Sequence, residues 1–268
     1  MPGFGLTMGV TLSYLAIIVL APIAALLWKS GETGWATLWA GVSSPRALAT
    51  YRLTFGTALA ATAFNTVAGF LFAWVLVRYR FAGRAVLDAV VDLPFALPTA
   101  VAGIALSAIF APTGWAGGLL EPLGVKVAYA PAGIAVAMAF TSIPFVIRSV
   151  QPVLEDLEPE AEEAAFSLGA SDLTVFLQVV FPAVLPALLS GAALAFSRAL
   201  SEYGAVIFIA GNVPMQTEVT TLLTYIRLEE FDYPGAAGLA VALLAASFAT
   251  LLTVNALQFW RHAREGRG

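Results

Sequence analysis

Few side chains in this sequence are of the types that perform covalent or metal chemistry. The chain has no cysteine and a single histidine, His262. Thiol nucleophiles, thiolate metal sites and sites built from several histidines therefore have no residues from which to form. Its lysines, Lys29 and Lys126, do not complete the Gly-x-x-x-x-Gly-Lys-Ser/Thr loop that holds nucleotide phosphates. We therefore predict no catalytic residue and no metal ligand in this chain, and no cofactor bound by it.

The carboxylates are concentrated in one place. Seven of the 17 acidic residues lie between Glu155 and Asp172, and the sequence on either side is almost uncharged. One interpretation is a solvated acidic loop. The other is a docking surface for a partner protein, because the small pair Ala164 and Ala165 permits close approach and Phe166 adds an apolar group that tends to mark an interface.

A further pair of charges lies in an apolar part of the sequence. Arg198 and Glu202 are four residues apart, so a helix would place them on one face, where they could pair. If a helix runs from Pro186 to Ile209, Arg198 lies near its middle, a depth at which ionisable groups are usually functional. The pair is either a structural link between helices or part of a gate in which Arg198 contacts an anion and Glu202 prevents its trapping.

The elements that must position these residues follow from composition. The chain is 60% hydrophobic and 11% charged, with a mean hydropathy of +0.87. Soluble domains carry roughly 25% charged residues, so the sequence indicates a membrane protein. A helix needs roughly 18–20 apolar residues to cross the bilayer, and six charge-free runs provide them. We predict an all-α, polytopic membrane protein with about six transmembrane helices. The runs are Met1–Trp28, Leu53–Val77, Leu93–Leu120, Val127–Ile147, Leu173–Ser197 and Tyr233–Trp260.

The distribution of arginine predicts the orientation. Six spans place both termini on one side of the membrane, and basic loops favour the cytoplasmic side. We therefore predict that both termini and the acidic segment are cytoplasmic, that 261–268 is a short cytoplasmic tail, and that residues 1–268 form a single transmembrane domain. The residues on this predicted cytoplasmic side are Arg78, Arg80, Arg84, Arg148, Arg261, Arg264 and Arg267.

Local signals divide the acidic segment into two short helices. Pro159 suits the first turn of one helix, Gly169 supplies a turn, and Ser171 is positioned as the N-cap of the next. We predict that this second helix ends at Pro182 and that the following span begins at Pro186. Farther up the chain, Pro94 and Pro98 either break the third span or serve helix packing. Arg84, Asp88 and Asp92, at four-residue spacing, predict a charge ladder at the end of that span.

The segment resembles a known family at specific positions. Glu163-Ala164-Ala165, Gly169 and Val179-x-Phe181-Pro182 reproduce the spacing of the EAA loop of binding-protein-dependent ABC importer permeases. The resemblance implies the type I ABC importer permease fold. It also implies that residues 152–182 contain a cytoplasmic coupling helix docking on an ATPase subunit. The residues to which it assigns ATPase coupling are Glu163, Ala164, Ala165, Gly169 and Pro182.

Other stretches resemble the sulfate and molybdate branch of this family, and within it the T-type subunits of sulfate/thiosulfate importers. They imply an inner-membrane permease that works with a second homologous permease chain, two ATP-binding cassette subunits that bind the ATP, and an extracytoplasmic sulfate-binding protein. Lipid surrounds it and nucleic acid has no role. Alternatives are a molybdate, tungstate or other oxyanion permease and, from a different class, a secondary anion transporter. The stretches are Tyr51–Leu59, Val91–Leu106, Ile143–Ala165 and Ser197–Asn212.

On the opposite face, the segment Pro214–Gly235 is amphipathic enough to form a short surface helix. Its acids Glu229, Glu230 and Asp232 either meet the binding protein or are simply solvated.

Overall fold

Within the part of the chain that the structure describes, six helices are long and apolar enough to cross a membrane, which confirms the predicted number of spans. The computed structural model describes residues 4–32 and 34–265. Its candidate spans are Phe4–Leu26, Pro45–Arg78, Thr99–Leu123, Pro131–Glu155, Asp172–Leu200 and Tyr233–Thr253. The α-helices are α1 (Phe4–Leu15), α2 (Ala21–Glu32), α3 (Trp35–Val42), α4 (Pro45–Arg78), α5 (Arg84–Val91), α6 (Leu93–Ala96), α7 (Thr99–Phe110), α8 (Trp115–Leu120), α9 (Pro131–Glu155), α10 (Pro159–Ser167), α11 (Asp172–Val175), α12 (Phe181–Leu200), α13 (Val206–Ile209), α14 (Thr220–Glu229) and α15 (Tyr233–Glu265).

Helices α4, α9 and α12 form the centre of the structure. Their facing sides are aliphatic and small, which allows close helix packing in a lipid environment. One polar side chain joins two of them: the buried Asn65 on α4 donates from Nδ2 to the Ala139 carbonyl oxygen and to Ser142 Oγ, both at 2.9 Å. The buried aliphatic residues of one core cluster are Ala73, Leu76, Val91, Val146, Ile147, Val150, Leu154, Val180, Val184, Leu188 and Ala195.

The predicted third span, Leu93–Leu120, is interrupted near its beginning, so that the span of the structure starts at Thr99. Helix α6 ends at Ala96, Leu97 is extended with φ −82° and ψ 133°, and Pro98 precedes α7 as its N-cap. Proline disfavours the helical conformation in the residue before it, which explains the break at Leu97. Of the two interpretations of the prolines, Pro98 therefore breaks the span, whereas Pro94 lies in the first turn of α6, where proline is tolerated.

The helix boundaries predicted around the fifth span are not those of the structure. A single apolar span runs from Asp172 to Leu200, so the prediction that one helix ends at Pro182 and the next begins at Pro186 is wrong. The reason is a π-helical turn, Phe176–Val180, in which the Phe181 amide donates to the Phe176 carbonyl. This wider turn lies just before Pro182 and lets the chain pass the proline ring without ending the helix.

The ends of two spans also differ from expectation. The fifth span stops at Leu200 rather than near Ile209, and α13 is a separate short helix. Arg198 therefore lies in the last turn of α12 and not in the middle of a helix. At the C-terminus, α15 continues to Glu265, so the predicted tail begins within this helix. Residues 266–268 of that tail lie outside the described residues.

Candidate functional site

The acidic segment folds as the predicted helix–turn–helix. Helix α10 begins with Pro159 in its first turn, after Glu158 as N-cap, and carries Glu160 and Glu162 in that turn. Acidic side chains near a helix N-terminus are stabilised by the helix dipole, and proline there sacrifices no hydrogen bond. The local sequence alone is therefore sufficient to start the helix.

Gly169 ends α10 with a left-handed turn. Its φ is +86°, and its amide donates to the Phe166 carbonyl at 2.9 Å while the Ala170 amide donates to the Ala165 carbonyl at 3.1 Å. This bond pattern is a Schellman motif, which needs the positive φ that glycine adopts without strain. Ser171 then accepts the Thr174 amide at 3.3 Å as the N-cap of α11, as the sequence predicts.

One side of this unit is exposed and mixes charge with apolar groups. Glu163 and Ala164 are exposed, Phe166 is 46% exposed and Leu168 is 90% exposed. We call Glu163, Ala164, Phe166 and Leu168 the α10 surface. Exposed apolar side chains grouped in this way are typical of interaction surfaces.

The five predicted coupling residues do not all lie on the α10 surface. Glu163 and Ala164 do, whereas Ala165 is partly buried on the other side of the helix. Gly169 shapes the turn, and Pro182 lies within the fifth span, downstream of the π-helical turn.

Another carboxylate of α10 has a partner that the sequence did not suggest. Glu162 Oε1 accepts a hydrogen bond from Arg78 Nη2, at the end of α4, and the Arg78 guanidinium also lies over the Trp74 ring. From the sequence, Arg78 was used only to predict the orientation of the chain in the membrane. The signal that could have singled it out is its four-residue spacing from Trp74, which places the two on one helix face.

The Arg198–Glu202 pair is formed. Arg198 Nη1 lies 2.6 Å from Glu202 Oε2, and the two side chains are 29% and 1% exposed. The other carboxylate oxygen, Oε1, accepts the Ala205 amide at 2.8 Å, and Thr221 Oγ1 donates to the Glu202 carbonyl at 3.0 Å. Glu202 therefore fixes the connection between α12 and α13 as well as neutralising part of the arginine charge.

This connection lies against α7, the helix that follows the break at Leu97. A Cβ on Gly103 would lie 2.4 Å from the Ala205 carbonyl oxygen, so the backbone of the connection contacts α7 directly. Farther along, Ser107 Oγ donates to the Phe208 carbonyl at 2.8 Å. The connection that Arg198 contacts through Glu202 thus packs against α7, and the Arg198 side chain is 29% exposed.

The predicted ladder of Arg84, Asp88 and Asp92 is replaced by a longer-range cluster. Arg148 on α9 donates from Nη1 to Asp88 Oδ1 at 2.6 Å, from Nη2 to Asp92 Oδ2 at 2.7 Å and from Nε to Asp92 Oδ1 at 2.9 Å. These bonds hold α5 and α6 against α9. The sequence did not indicate Arg148 because its partners lie 56 and 60 positions away.

On the other face, α14 confirms the expected surface helix. Asp232 pairs with Arg227 and its Oδ1 accepts the Gly235 amide at 3.0 Å, so this acid has a structural role. Glu229 and Glu230 are exposed. The Tyr225 hydroxyl donates a hydrogen bond to the Glu229 carboxylate, which raises the pKa of that tyrosine.

An ion pair between Arg46 and Glu218 holds the segment before α14. Arg46, at the start of α4, binds Glu218 with two hydrogen bonds, from Nε at 2.9 Å and from Nη2 at 2.7 Å. Glu218 is 1% exposed, and the neighbouring Thr220 amide donates to Thr54 Oγ1 at 2.9 Å. The segment before α14 is therefore fixed to the body of the protein.

Among the described residues, six apolar spans, with α10 between the fourth and the fifth, define a polytopic helical membrane protein. Residues 65–264 match the family described as binding-protein-dependent transport system inner membrane component. The chain belongs to this family. The predicted all-α permease fold with six spans is thereby confirmed, and the chain is a multi-pass inner-membrane component of a transport system rather than an enzyme.

Curated relatives are similar over nearly the whole chain. The chain is 52% identical to the sulfate transport system permease protein CysT of Salmonella typhimurium and to that of Escherichia coli, covering 96% of this chain and 93% of each relative. Identity to the protein of the same name from Synechocystis is 49%, covering 94% and 88%. The chain therefore shares about half of its residues with sulfate permeases, the branch that the sequence resemblance indicated.

Solved structures share the fold. A bacterial ABC transporter involved in the import of the acidic polysaccharide alginate matches with a TM-score of 0.76 at 14% identity, over 95% of both chains. The alginate transporter in complex with its alginate pentasaccharide-bound periplasmic protein gives the same score and identity, covering 94% of this chain and 92% of that one. At this identity the similarity establishes the fold alone.

Proposed function

We propose that this chain is a permease subunit of an ABC importer for sulfate, with thiosulfate as a related substrate. The observation that carries the proposal is the 52% identity to sulfate permeases over 96% of the chain. In this proposal the chain forms part of the translocation path and binds no ATP. The ATP is bound by two separate ATP-binding cassette subunits, and sulfate is delivered by an extracytoplasmic binding protein. A second homologous permease chain completes the path.

The α10 surface is the proposed contact with an ATPase subunit. Its carboxylate, Glu163, would pair with a basic residue of that subunit, and Leu168 and Phe166 would be covered by its apolar groups. Gly169 fixes the angle between α10 and α11, so that the surface continues into the fifth span. Under this proposal α10 and both termini are cytoplasmic, and residues 1–268 form one transmembrane domain.

The ion pair near the helix breaks suggests a division of roles along the path. Glu202 has both oxygens in contact with the protein and is 1% exposed, which supports a positioning role for it. Arg198 is 29% exposed and contacts Glu202 through one of its terminal nitrogens. We propose that its remaining donors face the passing dianion, while the carboxylate prevents tight binding that would stop transport.

Reconstitution tests this function. The permease chains and ATPase subunits are placed in proteoliposomes, and ATP turnover is measured with unloaded, sulfate-loaded and molybdate-loaded binding protein. We expect sulfate-loaded protein to stimulate turnover most. Equal or stronger stimulation by molybdate would favour the oxyanion alternative, and sulfate movement that needs no ATP would favour a secondary transporter.

A further inference from the structure

Two adjacent carboxylates of α10 face different surroundings. Glu163 is exposed on the α10 surface, whereas the Glu162 side chain is 17% exposed and pairs with Arg78. Successive helical residues are separated by about 100° around the axis, so neighbouring side chains necessarily face different directions. One acid is therefore available to a partner protein while the other holds α10 to the end of α4.

Arg78 extends this contact into the protein. Its guanidinium carbon lies 5.1 Å from the centre of the Trp74 ring, a cation–π geometry. Trp74 in turn contacts Phe176 edge to face, with ring centres 5.6 Å apart. Phe176 is the first residue of the π-helical turn in the fifth span. A continuous set of side-chain contacts thus joins α10 to the turn Phe176–Val180.

The end of this set of contacts at the fifth span consists of packed aromatic rings. Trp74 and Phe176 are rigid rings, and Phe70 and Phe181 also pack against Phe176, with ring centres 6.1 and 5.9 Å away. Rigid packed rings transmit displacement because protein interiors are close-packed. A π-helical turn is a local irregularity in a helix and frequently marks a functional position.

We propose that Arg78 and Glu162 are positioning residues for coupling, with Trp74 as the link between them and the fifth span. When a partner protein moves the α10 surface, Glu162 draws Arg78 and the end of α4 with it. The ring contacts carry the same displacement to the turn Phe176–Val180. This inference rests on the proposed function, in which that partner is an ATPase subunit.

A double-mutant cycle tests the proposal in the complete reconstituted complex. The variants are Arg78→Gln, Glu162→Gln and the two together, and the measured quantity is sulfate transported per ATP hydrolysed. Arg78→Gln removes both the ion pair and the cation–π contact with Trp74 and is expected to lower that ratio about fivefold, whereas Glu162→Gln removes the ion pair alone and is expected to lower it about twofold. The double variant is expected to lose no more than Arg78→Gln alone, because that change already removes the ion pair.

Matched controls distinguish coupling from folding. Glu160→Gln removes an exposed carboxylate from the same helix and is expected to keep the wild-type ratio. Arg78→Lys keeps the charge and is expected to retain at least half of the wild-type sulfate transport per ATP. If Arg78→Gln lowers the yield of assembled complex, Glu162→Gln and Arg78→Lys still test the pair, because α10 lies at the surface.

Three results would overturn the inference: losses that multiply in the double variant, an equal loss in Glu160→Gln, or wild-type transport per ATP in both single variants. Failure of the proposed function is distinguishable from these results. In that case the wild-type complex itself shows no ATP turnover stimulated by sulfate-loaded binding protein.

Discussion

Removing either member of the Arg198–Glu202 pair should have unequal consequences. Arg198→Gln leaves the Glu202 carboxylate, 1% exposed, without its counter-charge. Glu202→Gln leaves a guanidinium that is 29% exposed and is able to find water or another acceptor. Both changes remove the same ion pair. The loss of stability therefore depends on how deeply the remaining, unpaired charge is buried.

The expected magnitudes follow from burial. An uncompensated buried charge costs about 3–5 kcal/mol when its partner is removed. Glu202→Gln loses a charge-assisted contact but keeps an oxygen able to accept the Ala205 amide, so we expect a cost of about 1–2 kcal/mol. The variant with both changes strands no charge, and its loss of stability should be smaller than that of Arg198→Gln alone.

The assay is the free energy of unfolding of the purified chain in detergent, measured by denaturant titration on all three variants and on the wild type. Folded yield and complex assembly are recorded alongside. The reasoning is refuted if Glu202→Gln destabilises as much as Arg198→Gln. It is also refuted if the double variant loses the sum of the two single effects, because the side chains would then act independently.

Three further changes test other parts of the structure. Gly169→Ala introduces left-handed strain of about 1–2 kcal/mol and should weaken association with the ATPase subunits several-fold in a binding titration. Gly103→Val places a Cβ 2.4 Å from the Ala205 carbonyl oxygen, so little folded protein should be recovered by size-exclusion chromatography. Arg46→Gln strands Glu218, which is 1% exposed, and should lower the free energy of unfolding by about 3 kcal/mol.

Two of these changes have a control variant. Gly169→Asn should retain more association than Gly169→Ala, because asparagine tolerates the left-handed region. Gly56→Ala, whose new Cβ would meet no atom within 4 Å outside the backbone of its own helix turn, should fold normally, unlike Gly103→Val. For Arg46→Gln, unchanged stability would mean that Glu218 is solvated in the native protein. Equal association of both Gly169 variants would mean that the turn does not control docking.

The features that sequence reasoning predicted correctly are those with local causes. The six spans follow from the lengths of apolar runs, since backbone groups in lipid must be satisfied within helices. The start of α10 at Pro159, the left-handed turn at Gly169 and the N-cap at Ser171 each depend on residues within four positions. The same local signals predicted the short helix that carries the α10 surface.

The features that were missed depend on tertiary contacts. Arg148 and Arg78 find their carboxylates 56 and 84 positions away, and no local pattern selects one arginine over another for such a contact. Pro182 was predicted to end a helix because proline usually does, but the π-helical turn before it removed the conflict. The end of α12 at Leu200 is stabilised by Glu202 and by contact with α7, which are visible only in the folded chain.

Accumulation of radiolabelled sulfate by proteoliposomes containing the complete complex tests the central claim, that this chain moves sulfate by coupling to ATPase subunits through the α10 surface. Wild-type uptake should require both ATP and sulfate-loaded binding protein. Leu168→Glu should abolish most of it while leaving folded yield intact, because Leu168 is 90% exposed and makes its proposed contact only with the partner. Uptake without ATP, or wild-type uptake by Leu168→Glu, would contradict the account.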